Sequence, residues 1–147
     1  MPATTATAPG KIILFGEHAV VYGRPAIAVP VSQVQARVVI LAQPRAPRGE
    51  LQIQAPDIAL QARLDELPDL HPLAVAVRSV LAELGVPRPP ACSLRITSSI
   101  PIAAGMGSGA AISVAVIRAF SAFLGHPLPA ERVSALAYEV EKLHHGT

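Results

Sequence analysis

The sequence predicts an α+β domain, a mixed or antiparallel sheet covered by helices. Short apolar runs with two-residue alternation fill the first half, three- and four-residue apolar spacing fills most of the second, and one further strand pattern falls between the helical stretches. A doubly wound fold would instead alternate strand and helix from the start. The 147 residues suffice for one domain, and with 51% hydrophobic and 15% charged residues the chain can bury a core and lacks the composition of a disordered segment.

The first strand is expected at Lys11–Phe15, after a loose Thr/Ala-rich start. A second is expected at Ala26–Val29, its ends marked by Pro25 and Pro30. From Ser32 to Leu41, Val34, Ala36, Val38 and Ile40 alternate with Gln33, Gln35, Arg37 and Val39, the pattern of a half-buried strand. Leu51–Gln54 alternates likewise after the turn Pro47-Arg48-Gly49, so a hairpin or meander is expected there. Between His71 and Leu84, the positions Leu73, Val77, Val80, Leu81 and Leu84 form the apolar face of a helix that Gly85 and Pro87 stop. Ser93–Thr97 reads as a strand, Ala110–Leu124 as a central helix that is apolar almost all round, and Pro129–Leu143 as a third helix. Val133, Leu136, Ala137, Val140 and Leu143 form its apolar face.

Composition also excludes classes of function. Twelve Lys and Arg against ten Asp and Glu give a net charge of +2, too little for a phosphate-tracking stripe, and aromatics at 3% without Trp offer no stacking platform. Neither a nucleic-acid nor a membrane partner is expected. The start Met1–Ala8 lacks a secretory pattern, and the single cysteine, Cys92, reads as a small buried hydrophobe; both suit a cytoplasmic protein. His144-His145 reads as a polar helix end rather than a metal pair, and Asp65, Glu66 and Asp69 read as solvated surface.

Chemistry concentrates in two segments. The segment Ala103, Ala104, Gly105, Met106, Gly107, Ser108, Gly109, Ala110, Ala111 runs directly into the apolar helix. Glycines let the backbone approach a ligand, and the unpaired N–H groups of the helix start attract negative charge. Gly105, Gly107 and Ala110 fit a dinucleotide fingerprint, but a helix follows where that fold needs a second parallel strand; no Gly-Lys-Ser/Thr makes it a Walker A loop. The plainer alternative is a tight loop that lets the helix pack. The other segment, Pro9–Gly23, sets Lys11 at a strand start and Glu17-His18 in the turn at its end.

Taken together, P-G-K-I-I-L-F-G-E-H-A-V-V-Y-G at Pro9–Gly23 and P-I-A-A-G-M-G-S-G-A-A at Pro101–Ala111 resemble the N-terminal domain of the GHMP small-molecule kinases, a fold of the ribosomal S5 domain 2 type. The resemblance is strongest to the mevalonate-phosphorylating members and spans residues 1–147, about the first half of such an enzyme. It implies ATP-dependent phosphorylation of mevalonate to 5-phosphomevalonate for isoprenoid synthesis, with Mg²⁺. By resemblance Lys11 lies near the transferred phosphoryl group, Glu17 and His18 contact mevalonate, Ala103–Ala111 cradle the ATP phosphates, and Glu141 helps hold Mg²⁺. Where the family reads G-L-G-S-S-A, the second serine is Gly109 here, so Ser108 or a water is expected to take its place on the metal. The family's catalytic aspartate would lie beyond Thr147, in a second domain, so the chain reads as a truncated piece with little or no turnover alone; the full enzyme is expected to be a homodimer. The alternatives are a phosphomevalonate or homoserine kinase, a non-catalytic nucleotide-binding module, or a scaffold domain.

Overall fold

Side chains that alternate along a strand give a sheet one apolar face, and that face organises the chain. In a computed structural model, residues 3–15, 27–100 and 108–145 are described, with side chains over 3–10, 33–100 and 109–143. The elements are β1 (Thr4–Phe15), β2 (Ile27–Ala42), β3 (Leu51–Ala55), β4 (Leu60–Arg63), α1 (Pro72–Leu84), β5 (Cys92–Ser98), α2 (Ser108–Phe123) and α3 (Ala130–His145), with short 3-10 helices at Pro56–Ile58 and Leu64–Glu66. The five strands form one mixed sheet in the order β1-β2-β5-β3-β4, in which only the β3–β5 pair is parallel. Ala8, Ala36, Val38, Ile40, Leu51, Ile53, Leu94 and Ile96 line the buried face, while Thr5, Gln35, Arg37 and Arg95 point the other way. The three helices pack together, and α2 lies against β1 and β2. Its Ala115, Val116, Ile117, Ala119 and Phe120 are fully buried, as expected of an all-round apolar helix.

Helix ends follow local chemistry. His71 caps α1, its Nδ1 accepting from the Leu73 N–H at 3.2 Å, with Pro72 at the first helical position. Gly85, at φ +67°, ends that helix while the Val86 N–H reaches back to the Leu81 carbonyl at 2.9 Å.

Several expectations need correction. The loose start is strand from Thr4 onward, paired through Thr4↔Ile40. Pro30 does not end a strand, because β2 runs through it; β2 meets β5 only from Ala36 to Ala42, so near Pro30 β1 is its one partner among the described residues and the missing N–H is tolerated. The expected hairpin does not form. β5 inserts between β2 and β3, and β3 instead turns back on the unforeseen β4. Alternation specifies which face a residue takes, not which strand is its neighbour. Leu143, assigned to the apolar face of α3, is 49% exposed.

Two predictions arise here. Burial pushes the Cys92 thiol up to about 12, so it is expected to resist alkylation at pH 8 until denaturant is added; rapid labelling of folded protein would contradict that burial. Arg132 of α3 grips Glu83 of α1 through two 2.8 Å bonds, Nε to Oε2 and Nη2 to Oε1. The hydrogen bonds from Arg132 hold the Glu83 carboxyl below its ordinary value of 4.5. Between the lowered and ordinary values the unfolded chain binds more protons, so this clamp stabilises the fold above about pH 4.5 and is lost as the pH falls through the lowered value. Arg132→Ala is expected to flatten that part of the stability–pH curve, as read by denaturant unfolding.

Candidate functional site

Strand β5 delivers the chain to the glycine-rich segment, and hydrogen bonds fix where it leaves the sheet. The Ser99 N–H donates to the Gln35 carbonyl at 3.0 Å and the Gln35 N–H to Ser99 Oγ at 2.9 Å. The Ser98 N–H donates to Asp57 Oδ2 at 2.8 Å, and the Ile100 N–H to Ser98 Oγ at 3.1 Å. Ile100 is buried, so the segment starts from an anchored point. It enters α2 at Ser108.

Beside that helix start stands Glu141, half-buried on α3. A Cβ on Gly109 would meet its Oε1 at 3.1 Å and its Oε2 at 3.6 Å. The missing side chain therefore makes room for a carboxylate against the N-terminus of α2, where the helix dipole favours negative charge. A second anion at the same place, such as a phosphate, would be repelled unless a cation lay between them. Among the described residues no cluster of three or more His, Cys, Asp or Glu forms a metal cage. One carboxylate beside an anion cradle is nonetheless the donor set suited to a hard cation that arrives with phosphate oxygens and keeps its waters, so the residues present fit Mg²⁺.

A cavity of about 540 Å³ opens from this point. Gly109 and Glu141 form one part of its lining; Ala55, Leu73, Ile96, Ile100 and Ile112 give it apolar walls, and Asp57, His71, Ser98 and Ser113 are its other polar side chains. It has the size and make-up of a small-molecule pocket, with apolar walls and a few placed polar groups. Sequence reading missed Asp57, Ser98 and Ser113 and took His71 only as a helix start. The one signal in the sequence was Ser113, with Arg118 and Ser121 one of the few polar residues within a largely apolar helix. Asp57 and Ser98 come together only through the sheet.

Of the residues singled out from the sequence, Gly109, Ala110, Ala111 and Glu141 are brought together around the start of α2. Ser108 is the first residue of that helix, but its side chain is outside the described set. Lys11 lies in β1 opposite Pro30, and nothing is described of its side chain. Glu17, His18, Ala103, Ala104, Gly105, Met106 and Gly107 fall outside the described residues. Among the described residues no helix is long and apolar enough to cross a membrane.

The family profile described as GHMP kinases N terminal domain matches residues 72–147. The mevalonate kinase of Thermococcus gammatolerans is 38% identical, over 96% of this chain and 45% of that protein. The crystal structure of the Methanococcus jannaschii mevalonate kinase superposes with a TM-score of 0.84 at 29% identity, covering 99% of this chain and 48% of that one. Lactococcus lactis galactokinase, at a TM-score of 0.79 and 17% identity over 99% of this chain and 39% of that one, shares the fold. The chain spans about half the length of the curated relatives it matches.

Proposed function

Because the chain belongs to the GHMP kinase family, we propose that its site binds Mg²⁺·ATP and serves transfer of the γ-phosphoryl group to the hydroxyl of mevalonate. The observation that carries this reading is the Glu141 carboxylate set against the start of α2 beside Gly109, at the mouth of an apolar cavity. Backbone N–H groups at Ser108, Gly109 and Ala110 bind the phosphates, and the cavity takes the nucleoside. Mg²⁺ at this site would offset the charge of the phosphates. Glu141 is the residue that holds it, with Ser108 as the hydroxyl near it.

The reaction joins the acceptor oxygen to the γ-phosphorus and breaks the bond to the bridging oxygen, releasing ADP. Positioning and charge compensation supply most of the acceleration in such a transfer. Lys11, at the β1 position paired with Pro30, supplies a positive charge for the transferred group, and Glu17 and His18 orient mevalonate. The acceptor's proton goes to an aspartate of the half of the relatives that this chain does not span, so turnover belongs to a protein carrying both halves; such a protein is read as a homodimer. Mevalonate is favoured over other acceptors by Glu17-His18-Ala19-Val20-Val21 and by relatives named mevalonate kinase at 31–38% identity.

Full-length protein tested for ADP release with Mg²⁺·ATP and each acceptor in turn decides the matter. Release that requires mevalonate supports the proposal. Release with homoserine or phosphomevalonate instead replaces the acceptor, ATP binding without release makes the domain a nucleotide-binding module, and no ATP binding overturns the reading.

A further inference from the structure

Among the described residues five polar side chains line the cavity, and four of them are engaged. Asp57 accepts from the Ser98 N–H, Ser98 Oγ from the Ile100 N–H and His71 Nδ1 from the Leu73 N–H, while Glu141 has contacts of its own. Ser113 makes no hydrogen bond with any described residue, although it is only 3% exposed. Two other serines inside helices behave differently: Ser79 donates to the Ala76 carbonyl at 2.8 Å and Ser121 to the Arg118 carbonyl at 3.2 Å. No fully enclosed side-chain oxygen or nitrogen among the described residues lacks a partner, so the unbonded Ser113 hydroxyl is one that opens into the cavity. A polar group buried to this extent normally has a partner, and one without it marks the place where a ligand or a water supplies the bond.

We infer that Ser113 contacts the base of the bound nucleotide, its hydroxyl hydrogen-bonding the heterocycle's polar edge while Ile96, Ile112 and Leu73 offer apolar surface to its faces. The inference rests on the nucleotide reading above. Ser113 stands one turn into α2 from Gly109, about 6 Å along the helix axis, so a ligand whose phosphates meet the helix start reaches it with its non-phosphate part. The surroundings on the cavity side favour a base over a sugar at this point. A ribose, with several hydroxyls, is better served by the exposed Asp57, whereas Ser113 is a buried hydroxyl in a cavity whose lining includes the apolar Leu73, Ile96 and Ile112. A hydroxyl both donates and accepts, so this contact strengthens binding without selecting between purines.

The test compares Ser113→Ala with wild type, using Mg²⁺·ATP and inorganic tripolyphosphate as the two probes in calorimetric titrations, alongside thermal unfolding of the free proteins. Loss of one neutral hydrogen bond predicts ATP binding weakened about three- to tenfold, with tripolyphosphate binding unchanged. The free variant is expected to melt at the same temperature or higher, because its buried hydroxyl had no protein partner to lose. Unchanged ATP affinity overturns the inference and leaves the hydroxyl to a water. Equal weakening of both probes, or a lower melting temperature, also overturns it, because the hydroxyl then acts through the helix. A wild-type protein that binds tripolyphosphate but gains nothing from the nucleoside overturns the base contact alone, whereas one that binds neither probe removes the nucleotide reading as well.

Discussion

Glu141→Gln is expected to remove most of the effect of Mg²⁺ on ATP binding. In the proposed complex the carboxylate lies where the phosphates would come, against the start of α2. Two unit charges about 4 Å apart repel by roughly 4 kcal/mol at an effective dielectric of 20, and solvent at a half-buried position reduces that figure. Without metal, wild type should therefore bind ATP poorly; with metal, the same carboxylate becomes a ligand. Glutamine keeps the shape and removes the charge. The variant is expected to bind ATP in the presence of chelator as well as wild type or better, and to lose most of the gain from Mg²⁺. In full-length protein its turnover is expected to fall by about 10²- to 10³-fold, the scale of removing a fixed group that acts on transition-state charge. Titrations with Mg²⁺ and with EDTA check this. A variant with full metal dependence would show that Glu141 does not hold the cation.

The largest stability effect is expected at Phe120. It is fully buried on α2, the helix that touches β1, β2 and both other helices. Phe120→Ala removes a ring from the junction of both layers and leaves a cavity that the packed surroundings fill only partly, a loss of about 3–5 kcal/mol. Against a typical domain stability of about 5–15 kcal/mol that is enough to leave a large unfolded fraction. Phe123, one turn from the core at the end of the same helix and only partly buried, serves as the internal comparison. Phe123→Ala should cost clearly less in denaturant unfolding; equal losses would move the centre of the core away from Phe120.

The elements that could be read from the sequence were those whose pattern is local. The α1 stripe Leu73, Val77, Val80 and Leu81 is buried as its spacing implies, and the apolarity of α2 on almost every side marks the central helix. Strand order was not legible, because Val38, Ile53 and Leu94 alternate alike and nothing in their alternation says that β5 divides β2 from β3. Pro30 misled for a related reason, since its tolerance depends on which side of β2 lacks a neighbour. In the site, the glycine-rich segment was singled out from its own residues and Glu141 through a family resemblance, while the cavity was invisible. Its walls come from β3, β5, α1 and α2, and apolar residues that line a pocket look like any others in a linear sequence.

The insertion of β5 also governs when the molecule can form. Up to Ala91 a growing chain holds β1 to β4 and α1, yet β2 and β3 have no direct pairing, so the sheet is two unconnected pieces, β1-β2 and β3-β4. Both pieces expose ladder edges until Cys92–Ser98 arrives to join them, antiparallel on one side and parallel on the other. During synthesis on the ribosome the first ninety or so residues are therefore exposed to mispairing and aggregation, and the sheet, with the cavity resting on it, is completed in a late step that depends on one seven-residue strand.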